Sequence, residues 1–188
     1  MWFNVQQADS LINLALAPRN DGQLGAAEEA ASHTIDLLPE KGEELRQAHH
    51  VLGGIYESKG KMKKAIRHLE IALDIASSHN VANELFWANL VLSTVFSTER
   101  KFGDGQVHIE RTKSLAANNA NLLAFAILQR ARIWNGQHRS DEARSEALRA
   151  INAFEKVGDT HRAERGRGLL QQIEARQSGR PWRFKWRW

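Results

Sequence analysis

Apolar and small residues recur along this chain at helical spacing, and the pattern they form itself recurs. From Arg46 onward, Leu52 and Gly53 are followed by Tyr56, Gly60, Met62, Ala65, Leu69 and Ala72. With Arg46 as position 1, these residues hold positions 7, 8, 11, 15, 17, 20, 24 and 27. Apolar residues three and four apart mark one face of a helix, and the break at the glycine marks a tight turn. The pattern predicts two antiparallel helices, A and B. Further copies begin at Ala8, Phe86 and Ala124, at intervals of 38, 40 and 38 residues. The first carries Ala15, Gly22, Leu24, Ala27 and Ala31 at positions 8, 15, 17, 20 and 24, with Pro39 at 32. The third carries Leu92, Ser93, Phe96 and Phe102, then Gly105, Ile109 and Thr112. The fourth carries Ala131, Trp134, Ala143, Ala147 and Ala150, with a turn over Gly136–Ser140 whose glycine comes two places early.

Packing explains the frame. Positions 8, 20 and 27 are expected where helix backbones cross closely, and only Gly, Ala, Ser or Thr fits there. Mostly large residues at 7, 11, 17 and 24 fill the space beside the crossings. Asn20-Asp21-Gly22, Ser78-His79-Asn80, Asn118-Asn119 and Gly158-Asp159-Thr160 supply helix stops and caps. Helices are predicted at about 3–17, 23–38, 42–58, 61–78, 81–99, 102–118, 120–136, 139–157 and 160–177. No strand is predicted, since Val and Ile never alternate over a strand's length. The expected fold is all-α: a right-handed α-α superhelix of about four helix pairs plus a C-terminal capping helix. Its domain spans residues 1–179, with repeats near 8–45, 46–85, 86–123 and 124–159 and the cap at 160–177.

This frame resembles the tetratricopeptide repeat (TPR), whose usual period is about 34 residues. A more specific likeness lies in His108–Leu115, Leu123–Trp134, the run from Ser140 to Ala150, and Phe154–Gly158. These stretches look like the C-terminal TPR arrays of fungal proteins in which the array follows an NB-ARC or NACHT-type signalling NTPase. The likeness covers about residues 45–176, and the chain departs from it at Pro18, Gly105, Arg130 and its final residues. No GxxxxGK[ST] phosphate loop occurs, so the NTPase itself is not in this chain. The resemblance implies a ligand-sensing or scaffolding array and carries over no catalytic residue.

In a TPR array the A helices line the inner surface at positions 2, 5, 9, 12 and 13. Here the second copy places Gln47, His50, Gly54, Glu57 and Ser58 there. The third places Trp87, Leu90, Thr94, Ser97 and Thr98, and the fourth Phe125, Leu128, Arg132, Asn135 and Gly136. The first gives Asp9, Ile12, Leu16, Arg19 and Asn20. Apolar pockets with a few orienting charges suit a helical or extended peptide. Alternatively, Trp87 and Phe125 pack between neighbouring A helices and belong to the core. Some TPR domains clamp a heat-shock chaperone's terminal carboxylate with Lys and Asn. The corresponding positions here read His50 and Gly54, then Leu90 and Thr94, so that binding is not expected.

The net charge is +4, yet Arg180, Arg183, Lys185 and Arg187 account for it, leaving 22 bases and 22 acids in residues 1–179. The high pI is therefore no argument for nucleic-acid binding by the repeats. The basic run Lys61, Lys63, Lys64 and Arg67 is read as a solvated face. The tail 180–188 alternates Arg and Lys with aromatics, including Trp182 and Trp186. It is either disordered or a strip for an anionic membrane surface or single-stranded nucleic acid. At the other end, Leu11–Ala17 is read as repeat helix rather than a cleaved signal. Met1-Trp2-Phe3 enters the first repeat with no visible cap. That suggests a fragment of a longer array, or self-association through this repeat.

Chemistry is sparse. There is no cysteine, hence no disulfide and no thiolate metal site, which is compatible with a cytoplasmic setting. No HExxH and no GxSxG occur, the eight histidines form no i,i+4 pair, and no strand precedes either glycine-rich piece. No metal, cofactor or catalytic residue is expected. The expected partner is a protein or peptide.

Overall fold

The computed structural model describes residues 23–38, 42–79 and 81–178. The expected first helix with Asp9, Ile12, Leu16, Arg19 and Asn20, and the tail with Trp182, Arg183, Trp186 and Arg187, lie outside these residues. Among the described residues eight helices form: α1 Gln23–Leu37, α2 Glu43–Ser58, α3 Met62–His79, α4 Ala82–Thr98, α5 Phe102–Leu115, α6 Ala120–Gly136, α7 Ser140–Lys156 and α8 Thr160–Gln177. Among the described residues there is no strand. The expected boundaries hold within two residues, apart from the end of α5. That helix stops at Leu115 because Ala116–Asn118 turn over, and the Asn119 side chain caps α6 by accepting from the Leu122 N–H at 3.0 Å.

The chain divides into two compact units, residues 1–95 and 96–188. In the first, α1 packs on α2 and α2 on α3. In the second, α5 packs on α6, α6 on α7, α7 on α8, and α8 also reaches α6. The boundary falls within α4.

The small positions of the frame sit in the core. At position 8, Gly53, Ser93 and Ala131 are buried, and at position 20 so are Ala27, Ala65, Gly105 and Ala143. At position 27, Thr34, Ala72, Thr112 and Ala150 are buried. Both threonines satisfy their hydroxyls locally: Thr34 donates to the Ala30 carbonyl at 3.0 Å, and Thr112 to that of His108 at 2.9 Å. This is why Thr is tolerated at a crossing. In α8 the buried stripe is Ala163, Gly166, Leu169 and Ile173. The neighbouring Leu170 is only half-buried.

The A-to-B turns share one geometry. The Lys61, Lys101 and Arg139 N–H groups donate to the carbonyls of Tyr56, Phe96 and Trp134 at 2.8, 2.8 and 2.9 Å. Asp159 donates to Phe154 in the same way at 2.9 Å. These are six-to-one bonds of the Schellman type, and each needs a left-handed residue inside the loop. Gly60, Arg100, His138 and Gly158 fill that place, with φ of 69°, 60°, 62° and 76°. In the fourth copy the left-handed residue is therefore His138, in register at position 15, and not the early glycine. Gly136 is small for another reason: a Cβ there would meet the Phe102 ring at 2.6 Å. Gly60→Ala places a Cβ in the left-handed region and should cost about 1 kcal/mol, read as a lowered urea midpoint at unchanged slope.

Candidate functional site

Each unit presents its own set of inner A-helix positions. In the first unit, Gln47, His50, Gly54 and Glu57 are half-buried on α2, and Ser58 is exposed. Gln47 Nε2 donates to Glu43 Oε1 at 2.6 Å. On α4, Trp87 is half-buried and stands edge-on to the fully buried Phe86, ring centroids 5.0 Å apart. Thr94 is half-buried, and its hydroxyl donates to the Leu90 carbonyl at 3.1 Å. The Arg46 guanidinium joins the two helices, reaching Glu43 of α2 at 2.5 Å and Glu84 of α4 at 2.8 Å.

In the second unit the inner face of α6 is engaged by α8. Phe125 lies edge-on to buried Phe154 at 5.4 Å, and the Arg162 guanidinium sits 4.6 Å from its ring centre. Asn135 is held by Arg176, whose Nη1 donates to the Asn135 carbonyl at 2.6 Å and to Oδ1 at 3.2 Å. Arg132 is half-buried and its Nη1 donates to Gln129 Oε1 at 3.3 Å. Trp87 and Phe125 are thus neither fully exposed nor fully buried.

Position 5 departs from the expectation. Leu90 is 9% exposed and Leu128 6%, so both are core side chains and not groove surface. The reason is helical register. Leu90 lies four residues after Phe86 and three before Ser93, both fully buried, and Leu128 stands likewise between Ala124 and Ala131.

Sequence reading missed the contacts made by position 23. His49 and His68 meet with Nδ1 atoms 2.9 Å apart, and the Tyr56 ring lies 5.4 Å from His68. In the next copy, Phe96 and His108 stack at 5.4 Å. In the fourth, Arg130 bonds Glu146 at 2.7 Å and Glu110 at 3.4 Å, with its guanidinium 4.9 Å from the Trp134 ring centre. Arg130 departs from the frame at position 7, and Glu146 at position 23 is its answer. The signal was present as a paired departure, but it becomes readable only once those two positions are known to touch. Cations at position 16 add to the theme, with Lys61 6.0 Å from the Tyr56 ring centre and Arg139 5.0 Å from that of Trp134.

The electrostatics of these clusters follow from burial and neighbours. Burial holds His49 down to about 4, helped by His68 and Arg67. It likewise lowers His68 and His108. The Lys59 ammonium bonded to Glu28 holds that carboxyl below its ordinary range. Burial raises Tyr56, and its hydrogen bond to Glu28 adds to the effect. Among the described residues no three His, Cys, Asp or Glu side chains come together as metal ligands, and no helix is long and apolar enough to cross a membrane.

No protein-family model matches the sequence, and no curated protein matches it. Solved structures do. A Podospora anserina protein of kinesin-light-chain type, built from nearly identical TPR-like repeats, superposes with a TM-score of 0.64 at 14% identity, over 91% of this chain and 97% of that one. BtubC (BKLC) from P. vanneervenii superposes with a TM-score of 0.54 at 16% identity, over 98% of this chain and 96% of that one. The chain has the all-α fold of TPR-like helical repeats.

Proposed function

We propose that this chain is a cytoplasmic protein-interaction scaffold that holds a partner peptide or helix on the inner faces of its A helices. The observation that carries this reading is Trp87. It stays half-exposed at an inner position while Phe86 beside it is fully buried and fixes its ring edge-on. A rigid, partly exposed indole is the kind of anchor on which peptide recognition concentrates its energy. Gln47, His50, Glu57 and Thr94 add polar groups at inner positions of the same unit, and Arg132 adds one on α6 of the other. Leu90 and Leu128 support the face from beneath. The TPR-like fold supports a protein as the partner class, since stacked repeats present extended surfaces.

The likeness of residues 140–158 to arrays carried by NB-ARC or NACHT-type NTPases supports a place as the sensing arm of such a protein. Self-association through the first repeat, and membrane or nucleic-acid binding by residues 180–188, rest on the sequence alone.

Trp87→Ala combined with Arg132→Glu tests the reading. Partner captured from cell extract should fall by at least about thirtyfold, with helical content and melting temperature unchanged. Partner binding that survives both changes in a folded protein removes the inner-face assignment.

A further inference from the structure

The His49–His68 contact is geometrically specific. The two Nδ1 atoms lie 2.9 Å apart and the ring centroids 5.1 Å apart. That centroid distance is close to the nitrogen–nitrogen distance plus two ring radii, so the nitrogens point at each other. Rings that share a metal ion turn their lone pairs toward a common point to one side, which would bring the centroids closer. Head-on nitrogens make an N–H···N hydrogen bond instead: one ring carries its proton on Nδ1, and the other carries it on Nε2 and accepts.

The pair joins α2 to α3, and His49 is only 8% exposed. Its charged surroundings are cationic, with Arg67 and Lys64 of α3 acting on it. Tyr56 of α2 closes one side, its hydroxyl bound to Glu28 of α1 and its ring 5.2 Å from the Lys64 amine.

We propose that His49 and His68 are a proton-operated latch between α2 and α3, closed while the pair shares a proton and opened when both rings become charged. One added proton enters at the free Nε2 of the donor ring and leaves the bond intact. A second must enter at the accepting Nδ1, which sets two N–H groups face to face at a distance neither can hold. His49 lies between the inner residues Gln47 and His50, so opening the latch loosens the inner face of the first unit.

The direction of the pH effect follows. Burial keeps His49 neutral down to about 4, whereas an unfolded histidine takes up its proton near 6.5. The unfolded chain therefore binds more protons between these values. The contribution of the pair is complete above about 6.5 and falls away as pH drops toward about 4.

The test uses the full chain. Imidazole nitrogen NMR at pH 7.5 should show one of the two rings protonated at Nδ1 and the other at Nε2, with two successive protonation steps of which the second, at the accepting Nδ1, falls below the ordinary histidine range. Amide exchange in α2 and α3, corrected for its intrinsic pH dependence, should rise about tenfold between pH 7 and 5 relative to α7 and α8. His68→Gln keeps a polar partner that does not titrate, removes one of the two titrating rings and should diminish this rise. Two Nε2-protonated rings that titrate independently near the ordinary value overturn the proposal, and so does an equal rise in wild type and variant. The wild-type NMR decides by itself if the variant does not fold.

Discussion

Replacing Glu146 with alanine should destabilise the chain by about 3 kcal/mol, the lower end of the range for breaking a buried ion pair. The Glu146 side chain is 5% exposed and that of its partner Arg130 13%. Truncation leaves the guanidinium beside the Trp134 ring with only Glu110 at 3.4 Å, on a side chain that is 47% exposed. That remaining carboxylate is why the lower end applies. The pair also holds its place through Arg149, whose Nη1 reaches Glu146 at 2.5 Å. Position 7 is leucine in the two preceding copies, Leu52 and Leu92. The double change Arg130→Leu with Glu146→Leu should therefore recover most of the loss, because two apolar residues remove both desolvated charges at once. Urea denaturation of wild type, single and double variants measures this. A single-variant loss below about 1 kcal/mol would show that the pair is not a closed buried unit.

Gly53→Val should cost about 3 kcal/mol, the upper end for overpacking, while the neighbouring change Gly54→Ala should stabilise by about 0.5–1 kcal/mol. A Cβ on Gly53 would meet Leu69 Cγ at 2.5 Å and Cδ2 at 2.6 Å. Leu69 is fully buried and has no free direction in which to yield. Around Gly54 nothing lies within 4 Å, so a methyl there only reduces the freedom of the unfolded chain. Opposite signs at adjacent glycines in thermal melts are the expected result. A gain at both positions would mean that helix propensity, and not the approach of α2 to α3, decides the effect at position 8.

The helix boundaries and the crossing residues were legible because they depend on local chemistry. Small residues at 8, 20 and 27 report contacts made within one helix pair, and Asn119 and Asp159 announce their caps by type. The inner face was harder to read. Position 5 looked exposed by analogy, yet Leu90 and Leu128 sit on the same stripe as positions 1 and 8. Arg130 with Glu146 and His49 with His68 were invisible as pairs, since each joins residues 16 or 19 apart on different helices. A charged or titratable residue at a core position tells a reader that a partner exists, but the fold decides which one. The turn of the fourth copy misled for a related reason. Glycine marks the left-handed residue in other turns, whereas here His138 adopts that conformation and Gly136 answers to Phe102.

The constant spacing inside each A-to-B turn bears on how such a chain tolerates changes in length. Tyr56 to Gly60, Phe96 to Arg100 and Trp134 to His138 are the same four-residue step, although the copies begin 40 and 38 residues apart. Any difference between repeats is thus absorbed after the B helix, where α5 ends early and α3 runs on. One residue added inside the turn would rotate the following helix by about 100°, turning its methyl-sized side chains away from the crossing. An addition among Ala116–Asn118, ahead of the Asn119 cap of α6, falls between helices and should shift no face, which makes that link the natural place for an inserted tag or cleavage site.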